Sequence, residues 1–455
     1  MTRDGIRRHR LRTRAARVAL ASALAASAGC QRAAEPPKPD VVVLVIDALR
    51  ADRLAFYGYG KPTSPRLDEL ARSSVWFRQA FAQATWTKPS IGSLLTSRYP
   101  SELGLLDLDF QRDAKRTNVL TAELPLLTER FASSGWRTGA VINQVHLSRR
   151  TGFARGFDDF RHFRGRDGFD LARSFRDFLS TLGERRFFAY VHFLDPHWPY
   201  SELPEEDRAA FGRLSRSIRV PKDLAAFERW RERNLTPEIV QVLSNRYDAG
   251  VRYTDGAAGR LFDQLRDAGR WENTILVVTA DHGEGFGEHD ELMHGFEPYV
   301  EVARVPLLVH LPARFAIAPG ERLAPVGLID VAPTLLDLAG AMAIPDARGR
   351  SLRHLLAGDE PADRPVLTQS IQAWALRDAR FSLVALPGSR LEFYDRWQDP
   401  EERRLLDPAG CGEPCARLAR RLRELRAAYG SPVAQRDTTE LTAEQIEELR
   451  ALGYL

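Results

Sequence analysis

DVVVLVID, residues 40–47, sets six consecutive apolar residues between two aspartates. A β-branched run with no polar alternation is the pattern of a strand covered on both faces, as in a parallel sheet flanked by helices. TILVVT, Thr274–Thr279, repeats that pattern and runs into Ala280, Asp281 and His282. Around these two runs, helix-like and strand-like stretches alternate. Leu67, Leu70 and Ala71 give Ser64–Ser73 one apolar face, and Leu124–Ser133 also reads as a helix. Thr138–Ile142 and Phe187–Leu194 read as strands. Apolar spacing across Thr236–Ala268 predicts one or two long amphipathic helices, followed by a strand at Val305–Leu311 and a helix at Leu328–Leu338. Such alternation predicts an α/β fold with a large, mostly parallel central sheet flanked by helices.

The charged stretch Ser201–Asn234 has little apolar periodicity and reads as surface excursions. Past the turn-rich region Arg348–Arg364, Val366–Ser370, Phe381–Leu386 and Arg390–Tyr394 predict a small antiparallel sheet. The helix Ala416–Tyr429 is expected to pack on it. A last helix, Leu441–Leu452, opens on a capping box of Thr442 and Gln445 and is followed by Gly453.

The chain has 455 residues, 44% of them hydrophobic, enough for a large core. Its 65 basic and 61 acidic residues interleave to a net charge of +4. Outside the leader there is no long basic run, which argues against nucleic-acid binding. That leader pairs a basic stretch, Arg3–Arg17, with the small-residue apolar run Val18–Gly29, and Cys30 follows. It has the make-up of a secretory signal and is too short to span a membrane. Ser27, Ala28 and Gly29 ahead of Cys30 are similar to a bacterial lipobox, although Ser27 stands where a leucine-like residue is usual. Two readings follow: a lipoprotein anchored through Cys30, or ordinary signal cleavage. Both make the chain an exported bacterial protein, periplasmic or membrane-anchored. Cys411 and Cys415 are the remaining cysteines, and an oxidising compartment favours a small disulfide loop between them. The organisation expected is a signal peptide over 1–30, a tether over 31–39, a main domain over 40–355, a C-terminal subdomain over 356–430 and a tail helix over 431–455.

In open parallel sheets, ligands bind beyond the carboxyl ends of strands. Asp47 ends one apolar strand, and Asp281 and His282 end another; brought together, they would hold a cation. Taken singly, each is equally a turn or cap residue. The loop Asp281–Gly295, DHGEGFGEHDELMHG, is rich in glycine, acids and histidines, suited to coordination or to solvation. Thr87 precedes a helix over Lys88–Thr96. It reads either as that helix's N-cap or as a hydroxyl nucleophile beside a cation, with helix N–H groups near an anionic ester. Lys88 either adds positive charge for substrate binding or is an idle exposed residue. In HFLDPHWPY, residues 192–200, His192 and Asp195 are candidates for a second site, His192 being equally a core histidine. His197, between two prolines, is a candidate for contact with anionic oxygens or for protonating a leaving group.

Together these stretches resemble the sulfatase family of the alkaline phosphatase superfamily over nearly the whole mature chain. VVVLVIDALRADRLAFYGY is similar to the family's opening strand and first metal aspartate. TWTKPSIGSLLTSRYP is similar to its nucleophile signature, and HFLDPHWPY, TADHGEGFGEH and HGFEPYVEVARVPLLV follow in the family's order. The ending around LEFYDRWQDPEERRLL and LRALGYL resembles its C-terminal subdomain and tail. The resemblance implies an alkaline-phosphatase-like sandwich. It also implies Asp47, Thr87, Asp281 and His282 around one divalent metal, Thr87 as nucleophile, and His197 and His294 as substrate-contacting or proton-donating residues.

Four positions depart from the pattern. Thr87 replaces the cysteine or serine that becomes formylglycine, and Ile91 replaces the signature arginine. Ala48 stands where many sulfatases have a second metal aspartate, and Gln144 where a lysine is expected. Fewer carboxylates and a histidine ligand suit Zn²⁺ or Mn²⁺ better than Ca²⁺. The expectation is a metal-dependent hydrolase of anionic esters, small, lipid or glycan, phosphoesters ahead of sulfate esters, with a covalent intermediate on Thr87. The alternatives are direct sulfate-ester hydrolysis by Thr87, a phospho-headgroup transferase, and a non-catalytic binding protein on the same fold.

Overall fold

Asp40–Ile46 is buried along its whole length and pairs in parallel with two strands of the same character, Phe187–Phe193 and Thr274–Thr279. This triplet is the centre of a nine-stranded sheet. The computed structural model describes residues 37–106, 115–200, 211, 221, 224–359, 364–430 and 437–452. On one side of the triplet lie Arg137–Ile142 and, at the edge, Asp159–His162, both parallel. On the other side Leu307–His310 runs antiparallel, followed by Val75–Phe81 and Gly320–Gly327, which are parallel to each other. The expected strand Val305–Leu311 is two pieces, Arg304–Val305 and Leu307–His310, because Pro306 has no N–H for the ladder.

Thr236–Ala268 forms a single helix, Pro237–Asp267, started by Pro237 and by the Thr236 side chain, which accepts from the Ile239 N–H. Its Asp255 carboxylate accepts from the N–H groups of Arg66 and Leu67 at 2.9 and 2.8 Å and so fixes the start of the helix Pro65–Arg72. The helix expected from Leu124 begins at Leu127, and Leu328–Asp330 is a 3₁₀ turn leading into the helix Val331–Ala339. Within the charged stretch 201–234, the described part includes a helix, Leu224–Asn234.

Four strands, Val366–Gln369, Trp374–Arg377, Phe381–Ala385 and Leu391–Asp395, form the second sheet as an antiparallel meander. Trp374–Arg377 was not among the expected strands. Leu418, Leu422 and Leu425 of the helix Glu413–Tyr429 close over Leu376, Leu383 and Phe393. Cys411 and Cys415 are joined as a disulfide just ahead of this packing, with their Cα atoms 5.7 Å apart. Pro39–Leu455 is one compact unit. The tail contributes a short strand, Thr438–Glu440, paired with Arg116–Asn118, and the helix Ala443–Ala451. That helix opens on the expected capping box, Thr442 and Gln445 each accepting from the other's N–H. Leu449 and Leu452 pack on Trp86 and Val145. No helix among the described residues is long and apolar enough to cross a membrane. Cys30, the leader and Gly453 lie outside the described residues.

Candidate active site

Sheet register brings the site together. Ile142, His192, Val45 and Thr279 lie in one row across four parallel strands. Two residues beyond that row, three of the strands carry Gln144, Asp47 and Asp281, while His192 sits in the row itself. Residues far apart in sequence therefore meet at one carboxyl edge because their strands are aligned, not because their loops are long.

Asp47, Asp281 and His282 are all buried, and one ligand atom from each lies within 4.8 Å of the others. They are the one such group among the described residues. Asp47 Oδ2 is held by Gln144 Nε2 at 2.6 Å and by His192 Nε2 at 3.1 Å. Asp281 Oδ1 accepts from the N–H groups of Ala48 and His282 at 3.1 and 3.0 Å. Ala48 is in the left-handed region at φ 56°, a conformation that aims its N–H at Asp281. His282 Nδ1 lies 2.8 Å from the Gly283 carbonyl, which can only accept, so Nδ1 carries the proton and Nε2 a lone pair. That lone pair is 3.5 Å from Asp47 Oδ1 and 3.4 Å from Asp281 Oδ2. Both oxygens are buried without a hydrogen-bond partner. Three electron-rich atoms facing one another in a buried space, each anchored through its far side, fit a divalent cation.

Charge within the cluster agrees with this donor set. Burial and the neighbouring Asp281 push the Asp47 carboxyl up to about 7. Burial opposes ionisation of Asp281 as well, but His282 and His192 hold its carboxyl below the ordinary range. Two carboxylates sharing one buried space each oppose the other's ionisation, a repulsion that a cation between them would relieve.

Thr87 is the first residue of the wholly buried helix Thr87–Thr96. The N-cap is Trp86, with extended backbone and no side-chain capping bond, so the N-cap reading of Thr87 is incorrect. Thr87 Oγ1 lies 3.3 Å from His282 Nε2 and accepts from Gln144 Nε2 at 3.4 Å. Ser90, one turn on, donates to the Asp281 carbonyl at 2.6 Å and ties the helix to the strand end that carries Asp281. Ile91 is part of the hydrophobic core. The loop's glycine is required at Gly283, where a Cβ would lie 2.1 Å from the Glu301 carbonyl oxygen.

His197 and His294 are brought to the same place, their ring centroids 4.9 Å apart, with His294 4.1 Å from His282. His197 Nδ1 donates to the Trp198 carbonyl at 2.5 Å, and His294 Nδ1 meets Glu284 Oε1 at 2.9 Å. Burial holds both imidazoles down, His294 to about 4. Burial likewise raises the Glu284 carboxyl to about 7. Glu284 and Ser90 were not singled out from sequence. Glu284 sits in the acid-rich loop without a spacing to distinguish it, and Ser90 acts through a backbone carbonyl that no motif encodes.

Two expectations change. Lys88 is fully buried, not an exposed first-turn residue; its ammonium meets the Thr117 hydroxyl and the Asn118 carbonyl, on the strand that pairs with the tail. His192 and Asp195 do not gather a second metal group. His192 holds Asp47 and meets Tyr190 Oη at 2.8 Å, while Asp195 accepts from the Gly168 N–H at the start of the helix Gly168–Ser180. A strand-end histidine thus serves the first site by orienting its aspartate.

Residues 39–341, more than half of the chain, match the sulfatase family model. Residues 287–428 match a model of the C-terminal region of N-sulphoglucosamine sulphohydrolase. The ulvan-active sulfatase of Formosa agariphila is 26% identical over 412 residues, covering 80% of this chain and 76% of that protein. Human N-sulphoglucosamine sulphohydrolase is 29% identical over 306 residues, covering 62% of this chain and 57% of its own. Among solved structures, one determined in complex with its substrate D-glucosamine-2-N,6-O-disulfate aligns with a TM-score of 0.72 at 19% identity, covering 87% of this chain and 98% of the other. The phosphonate monoester hydrolase of Agrobacterium radiobacter aligns at 0.69 with 20% identity, covering 86% and 96%.

Proposed function

The chain belongs to the sulfatase family, and on that premise we propose that it hydrolyses an anionic ester with Thr87 as the nucleophile. The observation that carries this reading is the Thr87 hydroxyl, 3.3 Å from His282 Nε2 at the head of a buried helix. Asp47, Asp281 and His282 would hold a divalent cation beside Thr87, which would supply Lewis-acid stabilisation of negative charge. Zn²⁺ or Mn²⁺ suits the histidine-containing donor set better than Ca²⁺.

The chain's own groups divide the remaining work. Gln144 donates to Asp47 and to Thr87, so the Thr87 oxygen accepts there and its proton is left for the His282 Nε2 lone pair, 3.3 Å away. The first N–H groups of the helix and its positive end favour an anionic ester ahead of Thr87. His197 and His294 stand beside His282, their ring centroids 6.4 and 4.1 Å from its own. An anion beside these imidazoles favours their protonated forms, which bind ester oxygens and can hand a proton to the leaving group. Displacement leaves the transferred group on Thr87 Oγ1, and water then releases it.

A threonine cannot form the formylglycine on which sulfatases of the ordinary kind depend, which favours a phosphoester or phosphonate substrate. Sulfate-ester hydrolysis by Thr87 is the second reading, favoured by the sulfatase names of the curated relatives. An exported enzyme, anchored through Cys30 if lipidated, belongs to the same proposal and rests on the leader's composition. The test is a panel of aryl sulfate, phosphate monoester, phosphodiester and phosphonate, each with Zn²⁺, Mn²⁺ or Ca²⁺, run beside Thr87→Ala. Turnover of a phosphoester or phosphonate above the sulfate, abolished in Thr87→Ala, is expected. Faster sulfate turnover gives the second reading, and undiminished activity in Thr87→Ala removes Thr87 from the chemistry.

A further inference from the structure

Two concavities outside the catalytic cluster share Val300, Arg304 and Pro400 and form one groove where the four-stranded sheet meets the edge of the large one. The smaller, of about 350 Å³, is lined by Arg78, Arg304, Arg396 and Trp397 and, among the described residues, by no carboxylate. Arg78 pairs with Glu321, but Arg304 and Arg396 have no carboxylate within ion-pair distance among the described residues. Arg304 Nε donates to the Arg78 carbonyl, and Arg396 donates one N–H to the Asp378 carbonyl. Arg396 Nε is buried with no hydrogen-bond partner. The nearby Glu402 is engaged bidentately by Arg377 and acts on Arg396 only through space. Burial holds both Arg304 and Arg396 below the ordinary guanidinium range, Arg396 at about 10.

Trp397 is 70% exposed yet held in place. Its indole N–H donates to the Ala379 carbonyl at 3.2 Å, and the Arg380 guanidinium, fixed by Asp395, lies 5.1 Å from its ring. A fixed, exposed aromatic face beside arginines in a concavity that no described carboxylate lines suits a planar-faced ligand that also carries anionic groups. We propose that this groove binds a segment of an anionic glycan, with Arg78, Arg304 and Arg396 taking carboxylate or sulfate groups and Trp397 stacking on a sugar ring. A membrane surface fits less well, because Arg304 and Arg396 are partly buried in a concavity and do not project from a convex face. The groove continues past Arg304 into a larger concavity of about 570 Å³, but there Arg53 and Lys61 pair with Asp248 and Arg403 with Glu401, so the anion-binding part is the smaller one.

The test uses the full chain and a hexasaccharide of uronic acids, which carries no ester to hydrolyse, so binding is read independently of the chemistry at Thr87. Titration calorimetry and tryptophan fluorescence are expected to show binding that weakens about tenfold in Trp397→Ala and in Arg78→Gln. The fluorescence change should vanish in Trp397→Ala, and turnover of a small aryl ester should be unchanged in both variants. No binding of the hexasaccharide, an affinity in both variants equal to that of the unaltered protein, or equal affinity for the carboxyl-reduced neutral hexasaccharide would overturn the proposal. So would binding of anionic-phospholipid vesicles that both variants weaken while the hexasaccharide does not bind.

Discussion

In the proposed chemistry, Thr87 and Gln144 are the decisive residues. Thr87 spends no hydrogen-bonding capacity on capping its helix, because Trp86 occupies that position, and its hydroxyl is left to the metal-ligand cluster. In Thr87→Ala, kcat/KM is expected to fall by about a thousandfold or more while metal content and circular dichroism stay unchanged. Activity near that of the unaltered protein would show that another group attacks. Gln144 acts differently: it orients Asp47 through a 2.6 Å hydrogen bond. Gln144→Leu removes that donor and leaves Asp47 with His192 alone on Oδ2. Metal affinity, read by chelator competition, is expected to fall by about 10–100-fold. An unchanged affinity would mean that Gln144 serves only the substrate side.

At the scale of elements, aligned strands and one close approach fix the site. Gly283→Ala pushes a Cβ into the Glu301 backbone, whose position is set by the Gly283 N–H to Val302 carbonyl bond at 2.7 Å. Denaturant unfolding is expected to show a loss of about 1–3 kcal/mol. An unchanged midpoint would mean the loop can yield at no cost. The same elements show what a sequence discloses. Asp40–Ile46 and Thr274–Thr279 are legible because burial on both faces demands unbroken apolar runs. Val75–Phe81 is not, because Arg78 and Gln79 break its run, and Gly320–Gly327 carries Pro325 beside a register shift. Asp159–His162 is a half-buried edge strand, where pattern is weakest. Asp47, Asp281 and His282 could be picked out as strand-end residues, but their meeting depends on strand order. The same limit hid the role of His192, whose partner is on a neighbouring strand, and the burial of Lys88, whose partners lie on a strand paired with the tail.

In the whole molecule, the second sheet is locked to the first by Glu402. Its carboxylate takes two 2.8 Å bonds from Arg377 and one of 3.0 Å from the Val300 N–H, shortly after the loop Asp281–Gly295, with both charged side chains wholly buried. Burial opposes this charge, but Arg377 holds the Glu402 carboxyl below its ordinary value of 4.5. A depressed carboxyl stabilises the fold above that ordinary value, and the contribution is lost as pH falls through the lower folded value. Glu402→Gln leaves Arg377 without its counter-ion and is expected to cost about 3–5 kcal/mol at neutral pH. The variant should also lose this group's share of the acid destabilisation, which urea unfolding at pH 7 and pH 4 can compare. Equal stability of variant and parent at pH 7 would mean that the buried pair does not hold the sheets together. The central claim, a covalent step on Thr87, can be read directly by rapid acid quench during turnover of a phosphodiester or phosphonate with Zn²⁺, followed by peptide mass mapping. The transferred group is expected on the peptide bearing Thr87 and absent in Thr87→Ala; its appearance on another residue, or burst-free turnover with Thr87 always unmodified, would contradict the claim.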